Sequence, residues 1–249
     1  MKDLTKGNPT GLLLRFAIPI ALGKVFRLCY NLADTRIIGS YLGEVALASI
    51  GLTNSLDSLL VGFLTGMADG FAILIARQFG SKEEDRLRNA VALAIVLGIL
   101  TSVLLTCFGT IFLRNILIAL HTPAELLQDA QNYFQIILVG LIASMLYNVA
   151  FAVLRSIGDT VTPLCFLIAA TVVNILLDLL LICEFHAGVR GAAFATVISQ
   201  LLSSIACVVY AWVRYPLLRL REQDFHFRIK NSERDVSIRV FYGIYVVFG

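Results

Sequence analysis

Asn174 and Asp178 stand four residues apart inside TVVNILLDLLLIC, the apolar stretch from Thr171 to Cys183. A carboxyl group in hydrocarbon is costly. Ionisable side chains in membrane-crossing segments usually face the bundle interior and mark ion or substrate pathways. Residues four apart on a helix are neighbours, so the amide and the carboxyl share one face, with Thr171 on the same stripe. Asp34, Tyr133 and Thr196 also interrupt or border apolar runs. The set offers two carboxyls, an amide, hydroxyls and a phenol, with no thiolate or imidazole. Hard cations prefer oxygen ligands, so sodium or a proton suits it better than a transition metal. Thr171 and Thr196 could equally serve as helix contacts, and Tyr133 as an interfacial aromatic. A merely structural contact needs no charge-capable group such as Asp178.

The elements that must position these residues are membrane helices. The 249 residues are 58% hydrophobic and 15% charged, and mean hydropathy is +0.84. Soluble domains carry nearer a quarter charged residues. A crossing needs about 20 apolar residues. Six candidate spans are read at about 13–38, 45–76, 89–113, 130–154, 161–183 and 191–213. The second is long for one crossing, which predicts tilt or an extension past the bilayer. The first reads as a retained span, since no short core with a small-residue cleavage site precedes it. An all-α, polytopic membrane bundle is expected. Cys29, Cys107, Cys165, Cys183 and Cys207 sit inside apolar runs without metal or redox spacing, and are expected to be small buried hydrophobes.

Lys and Arg in the alternate loops set the orientation. Lys2, Lys6, Arg15, Arg77, Lys82, Arg86, Arg88, Arg155, Arg214, Arg219 and Arg221 fall on one side, against Arg114 and Arg190 on the other. Both ends of the bundle are therefore expected in the cytoplasm of a cell whose plasma membrane the chain crosses. On that topology Asp34, Tyr133, Asn174, Asp178 and Thr196 lie on four helices, within roughly 15 Å of the outer surface at 1.5 Å per residue. His121, His186 and His226 fall in loops or the tail, so no span offers a catalytic Ser–His or His–metal arrangement, and an enzyme is not expected.

Four ordered motifs carry a family resemblance: LCYNLADTRIIGSYLGEVALASIG, RQFGSKEED, VLRSIGDTVTP and GVRGAAFATVISQ. They resemble the first helix and its loop, the loop after helix two, the loop between helices four and five, and the sixth helix of the multidrug and toxic compound extrusion (MATE) family. The resemblance covers residues 8–213 and implies the amino-terminal six-helix lobe of a twelve-helix antiporter. Such a protein would export drugs or organic cations against inward sodium or proton flow. It further implies an ion-coupling site at Asp34, Asn174, Asp178 and Thr196, bordered by Tyr133. No cofactor is expected beyond a bound sodium ion or proton. The expected partners are the lipid bilayer, the organic cation, and a second six-helix lobe or a second copy of this chain; nucleic acid is not among them.

The chain departs from the family pattern at Lys24, Arg27 and Arg36 in span one and at Asp57 and Asp69 in span two. Sequential helices joined by a short loop are usually neighbours, so Asp57 is expected to pair with Lys24 or Arg27. Two other readings stand beside export of cations. One is a flippase for lipid-linked saccharides, which would need a cationic cavity. The other is a non-transporting truncated product. Residues 1–213 read as the transmembrane lobe, 214–240 as a cytoplasmic linker or interfacial helix, and 241–249 as the truncated start of a seventh helix.

Overall fold

The computed structural model describes residues 9–221 and 224, with side chains described from Ala17 onward except that of Arg27. The expected linker beyond Asp224 and the start of a seventh helix lie outside the described residues. The rest is helical: α1 (Pro9–Tyr41), α2 (Gly43–Gly80), α3 (Glu84–Ala119), α4 (Ala124–Val139), α5 (Leu141–Ser156), α6 (Val161–Asp178) and α7 (Gly188–Arg214). A π-helical turn, Leu179–Glu184, continues α6, and a short 3-10 turn, Pro216–Leu218, follows α7. Helices satisfy every backbone group within the segment, which a hydrocarbon surround demands.

Four segments are long and apolar enough to cross a membrane: α2, α3, Val161–Glu184 and α7. Helices α4 and α5, bent by 47°, make a fifth when taken as one broken span. This is a multi-pass membrane protein. Among the described residues α1 is not one of these segments; from Ala17 onward Lys24, Arg27, Asp34 and Arg36 interrupt its apolar run.

Helix α2 packs on α3 and α5, α5 on α3 and α7, and α6 on α1 and α7. The main core gathers Phe71, Leu87, Leu138, Met145 and Leu154. A smaller one gathers Ile38, Ile50, Ile182 and Val189, and Tyr133 packs against both. Between α1 and α2 the chain turns at Gly43, whose φ of +84° is a left-handed conformation open chiefly to glycine. At the α4–α5 bend, a Cβ on Gly140 would lie 2.3 Å from Val197 Cγ2. The missing side chain therefore lets α7 approach the bend, as small residues do in membrane bundles.

Polar ties fix the far end of the bundle. Arg155 Nη2 meets Asp69 Oδ1 at 2.8 Å, joining α5 to α2. The Ser156 hydroxyl donates to the Ala72 carbonyl at 2.9 Å. Asp69, out of pattern in the sequence, thus has a cationic partner. Asp159 accepts from the Thr162 backbone N–H at 3.0 Å and from the Tyr215 hydroxyl at 2.9 Å. Burial, and then the Asp159 carboxylate, push the Tyr215 phenol above its ordinary range. Buried Arg88 pairs with Asp85 and, at 3.4 Å, with buried Asp224.

The cysteines are free, and only Cys207 is buried; Cys29, Cys107 and Cys165 are exposed and Cys183 is intermediate. This corrects the expectation of buried positions. In a membrane helix the outward face is as apolar as the inward one, so an apolar neighbourhood does not report burial.

Candidate functional site

Helices α1, α2, α4, α5, α6 and α7 all contribute to the wall of one cavity of about 700 Å³. Its charged lining residues, among those described, are Asp34 from α1 and Asp57 from α2. No described Lys, Arg or His lines it. Lys24 and Arg36 are instead exposed on α1. The expected pairing of Arg27 with Asp57 falls on a side chain outside the described residues.

Four of the five residues expected to form the ion-coupling site line the cavity directly: Asp34, Tyr133, Asn174 and Thr196. Asp178 lies behind them at 0% exposure, next to Asn174 at 1%. With its amide nitrogen turned toward the carboxyl, Asn174 donates to Asp178 Oδ2 at 3.0 Å. Its oxygen then accepts from the Thr196 backbone N–H at 3.3 Å. One side chain thereby links α6 to α7. The Asp34 and Asp178 carboxyl groups are electrostatic neighbours across α1 and α6. The Oδ1 atom of each is buried without a hydrogen-bond partner. A buried acceptor left unpaired costs about 1–3 kcal/mol. A shared proton, or a small cation among these oxygens, would remove that cost.

Asp178 ends α6, where the helix widens into the π turn. Such turns recur at functional sites.

Tyr30 belongs to the same cluster, and the sequence reading passed it over. Its hydroxyl lies 3.2 Å from Thr196 Oγ1. Tyr30 and Tyr133 both lie within electrostatic reach of Asp34, Asp57 and Asp178. The available signal was spacing: Tyr30 precedes Asp34 by four residues and so shares its face. Gln200, four residues after Thr196, also lines the cavity and was missed.

Residues 19–180 match the MatE family. The chain belongs to that family. It is 33% identical over 216 residues to the probable multidrug resistance protein YoeA of Bacillus subtilis, covering 85% of this chain and 45% of that protein. It is 30% identical over 198 residues to the probable multidrug resistance protein YpnP of the same organism, covering 80% of this chain and 44% of the relative. In fold it is similar to a MOP superfamily transporter from Pyrococcus furiosus, at a TM-score of 0.89 and 23% identity. That match covers 98% of this chain and 54% of the other. The chain spans about half the length of the relatives it matches. These MatE relatives are multidrug resistance proteins by name, and the family is one of membrane transporters rather than enzymes.

Proposed function

We propose that this chain forms one lobe of a secondary antiporter that exports drugs or organic cations in exchange for inward sodium or protons. The observation that carries the reading is the cavity, whose described charged lining residues are both acidic. A cationic guest finds Asp34 and Asp57 there. An anionic saccharide headgroup would find no described basic side chain, which favours the antiporter over the flippase reading.

Asp34 and Asp178 form the coupling pair, Asn174 and Thr196 complete its oxygen shell, and Tyr133 borders it. Two like charges this close resist ionising together. The pair therefore takes up a proton or a cation when it is closed off, and releases it when it opens. An ion that binds two conformations of the lobe unequally shifts their populations, which is what coupling requires. In this reading α1 supplies the first of six crossings, α4 and α5 together form the fourth, and both ends of the bundle face the cytoplasm of the plasma membrane. A second lobe, or a second copy of this chain, closes the cavity from the other side, since the sites of repeat-built transporters lie at the interface between repeats.

The test is transport of a fluorescent organic cation in proteoliposomes, with sodium and proton gradients imposed separately. The chain is measured alone and joined to a second lobe. Export driven by either gradient and lost in Asp178→Asn supports the reading. Export indifferent to both gradients would overturn it.

A further inference from the structure

A chain of uncharged hydrogen bonds crosses the cavity wall one helical turn beyond the acidic cluster. The Ser144 hydroxyl donates to Gln200 Oε1, joining α5 to α7. Asn148 Nδ2 donates to the Ser144 carbonyl at 2.7 Å. The Thr65 hydroxyl donates to Asn148 Oδ1 at 3.4 Å, which brings in α2. Thr65, Ser144 and Gln200 all line the cavity. The Gly140–Val197 contact lies one turn before the Ser144–Gln200 bond on both helices, so the glycine sets the spacing that lets the bond form.

The Gln200 side chain uses its oxygen on Ser144 and makes no other hydrogen bond among the described residues. Its amide N–H groups are therefore left as donors on a side chain that lines the cavity. Thr196 and Gln200 are separated by about 6 Å along α7. A molecule spanning the two levels meets carboxyl groups at one end and an amide donor at the other. Val61, Leu141 and Leu167 supply apolar wall. A polar group enclosed with its guest contributes mainly to discrimination, because a guest without the matching atom leaves it unpaired.

We propose that Gln200, held by Ser144, is a specificity-determining subsite. It takes an uncharged acceptor, such as a carbonyl or carboxamide oxygen, of an organic cation whose charged group faces Asp34. This rests on the reading of the cavity as a cation site.

Equilibrium binding of two probes to the full chain in lipid nanodiscs tests it. Procainamide is a tertiary ammonium carrying an aromatic carboxamide, whereas tetraphenylphosphonium has no hydrogen-bonding atom. Gln200→Leu is expected to weaken procainamide about tenfold, the worth of one enclosed hydrogen bond, and to change tetraphenylphosphonium by less than about twofold. Ser144→Ala, which releases the Gln200 amide to rotate, should shift procainamide in the same direction by a smaller factor. It guards against Gln200→Leu failing to fold. Equal weakening of both probes, or of neither, would mean that the hydrogen-bond chain only ties helices together, and would overturn the proposal. Asp34→Asn separates the two ideas, since it is expected to weaken both probes. If it spares both while Gln200→Leu acts on procainamide alone, the cation seat is refuted and the subsite stands. If the wild-type chain binds neither probe, both are refuted.

Discussion

Asn174 donates its amide to Asp178 one turn along α6, at 3.0 Å, and with its oxygen takes the Thr196 backbone N–H of α7. The two residues therefore respond differently to substitution. Asp178→Asn removes an ionisable group from a site with 0% exposure, which lifts a desolvation cost. Asn174→Ala leaves buried Asp178 Oδ2 without its partner, at about 1–3 kcal/mol. Thermal unfolding in detergent should place Asp178→Asn at or above wild type and Asn174→Ala below it. Both should lose ion-dependent export when joined to a second lobe. An Asp178→Asn protein with wild-type dependence on the ion gradient would reduce Asp178 to a structural role.

Tyr30→Phe deletes the hydroxyl that meets Thr196 Oγ1 at 3.2 Å while keeping the ring. A single neutral hydrogen bond is worth about 0.5–1.5 kcal/mol, so stability should fall by no more than that. Thr196→Ala should cost a similar amount, and the double variant should cost less than the sum. Additive effects in that cycle would show that the two hydroxyls do not act together.

Gly140→Ala places a methyl where Val197 Cγ2 already lies. Overpacking of this kind costs about 1–3 kcal/mol. Val197→Ala should recover most of that loss when combined with Gly140→Ala, although it opens space on its own. If Val197→Ala brings no recovery, the close approach of α7 to the α4–α5 bend is not what requires a glycine.

Tyr215 lies past the end of α7, where burial and Asp159 hold its proton more tightly than in the unfolded chain. Above pH of about 10, the ordinary tyrosine value, the unfolded chain loses that proton while the folded one retains it. The folded state then binds more protons, so stability falls as pH rises. Wild type should therefore lose thermal stability between pH 9 and pH 11 more steeply than Tyr215→Phe. Parallel profiles would remove the Tyr215–Asp159 bond from the account.

The residues of the acidic cluster were legible because each is expensive where it stands. An aspartate inside LCYNLADTR or NILLDLLL has few inexpensive explanations in a bilayer. Tyr30 was not legible, since an aromatic in an apolar helix is ordinary and only its spacing from Asp34 sets it apart. The break of the fourth span was hidden because Gly140 is one small residue in QIILVGLIASM, and its need shows only against Val197 on another helix. Burial of the cysteines was misread because hydropathy in a membrane helix carries no record of which face turns inward. Arg155 and Asp69 are 86 positions apart, and their pairing depends on how α2 and α5 pack.

The π turn at Leu179–Glu184 also bears on how this helix tolerates changes of length. A π turn holds one residue more than the α-helical turn it replaces, and each residue of an α-helix advances its side chains by about 100°. The extra residue is taken up after Asp178, so the phase of Thr171, Asn174 and Asp178 is set entirely by regular α-helix. A chain shorter by one residue within 179–184 closes the wide turn into ordinary helix and keeps that phase. The same deletion between Thr171 and Asp178 rotates the amide away from the carboxyl. Single-residue gaps among relatives are therefore expected in the wide turn and absent from the four residues leading up to Asp178.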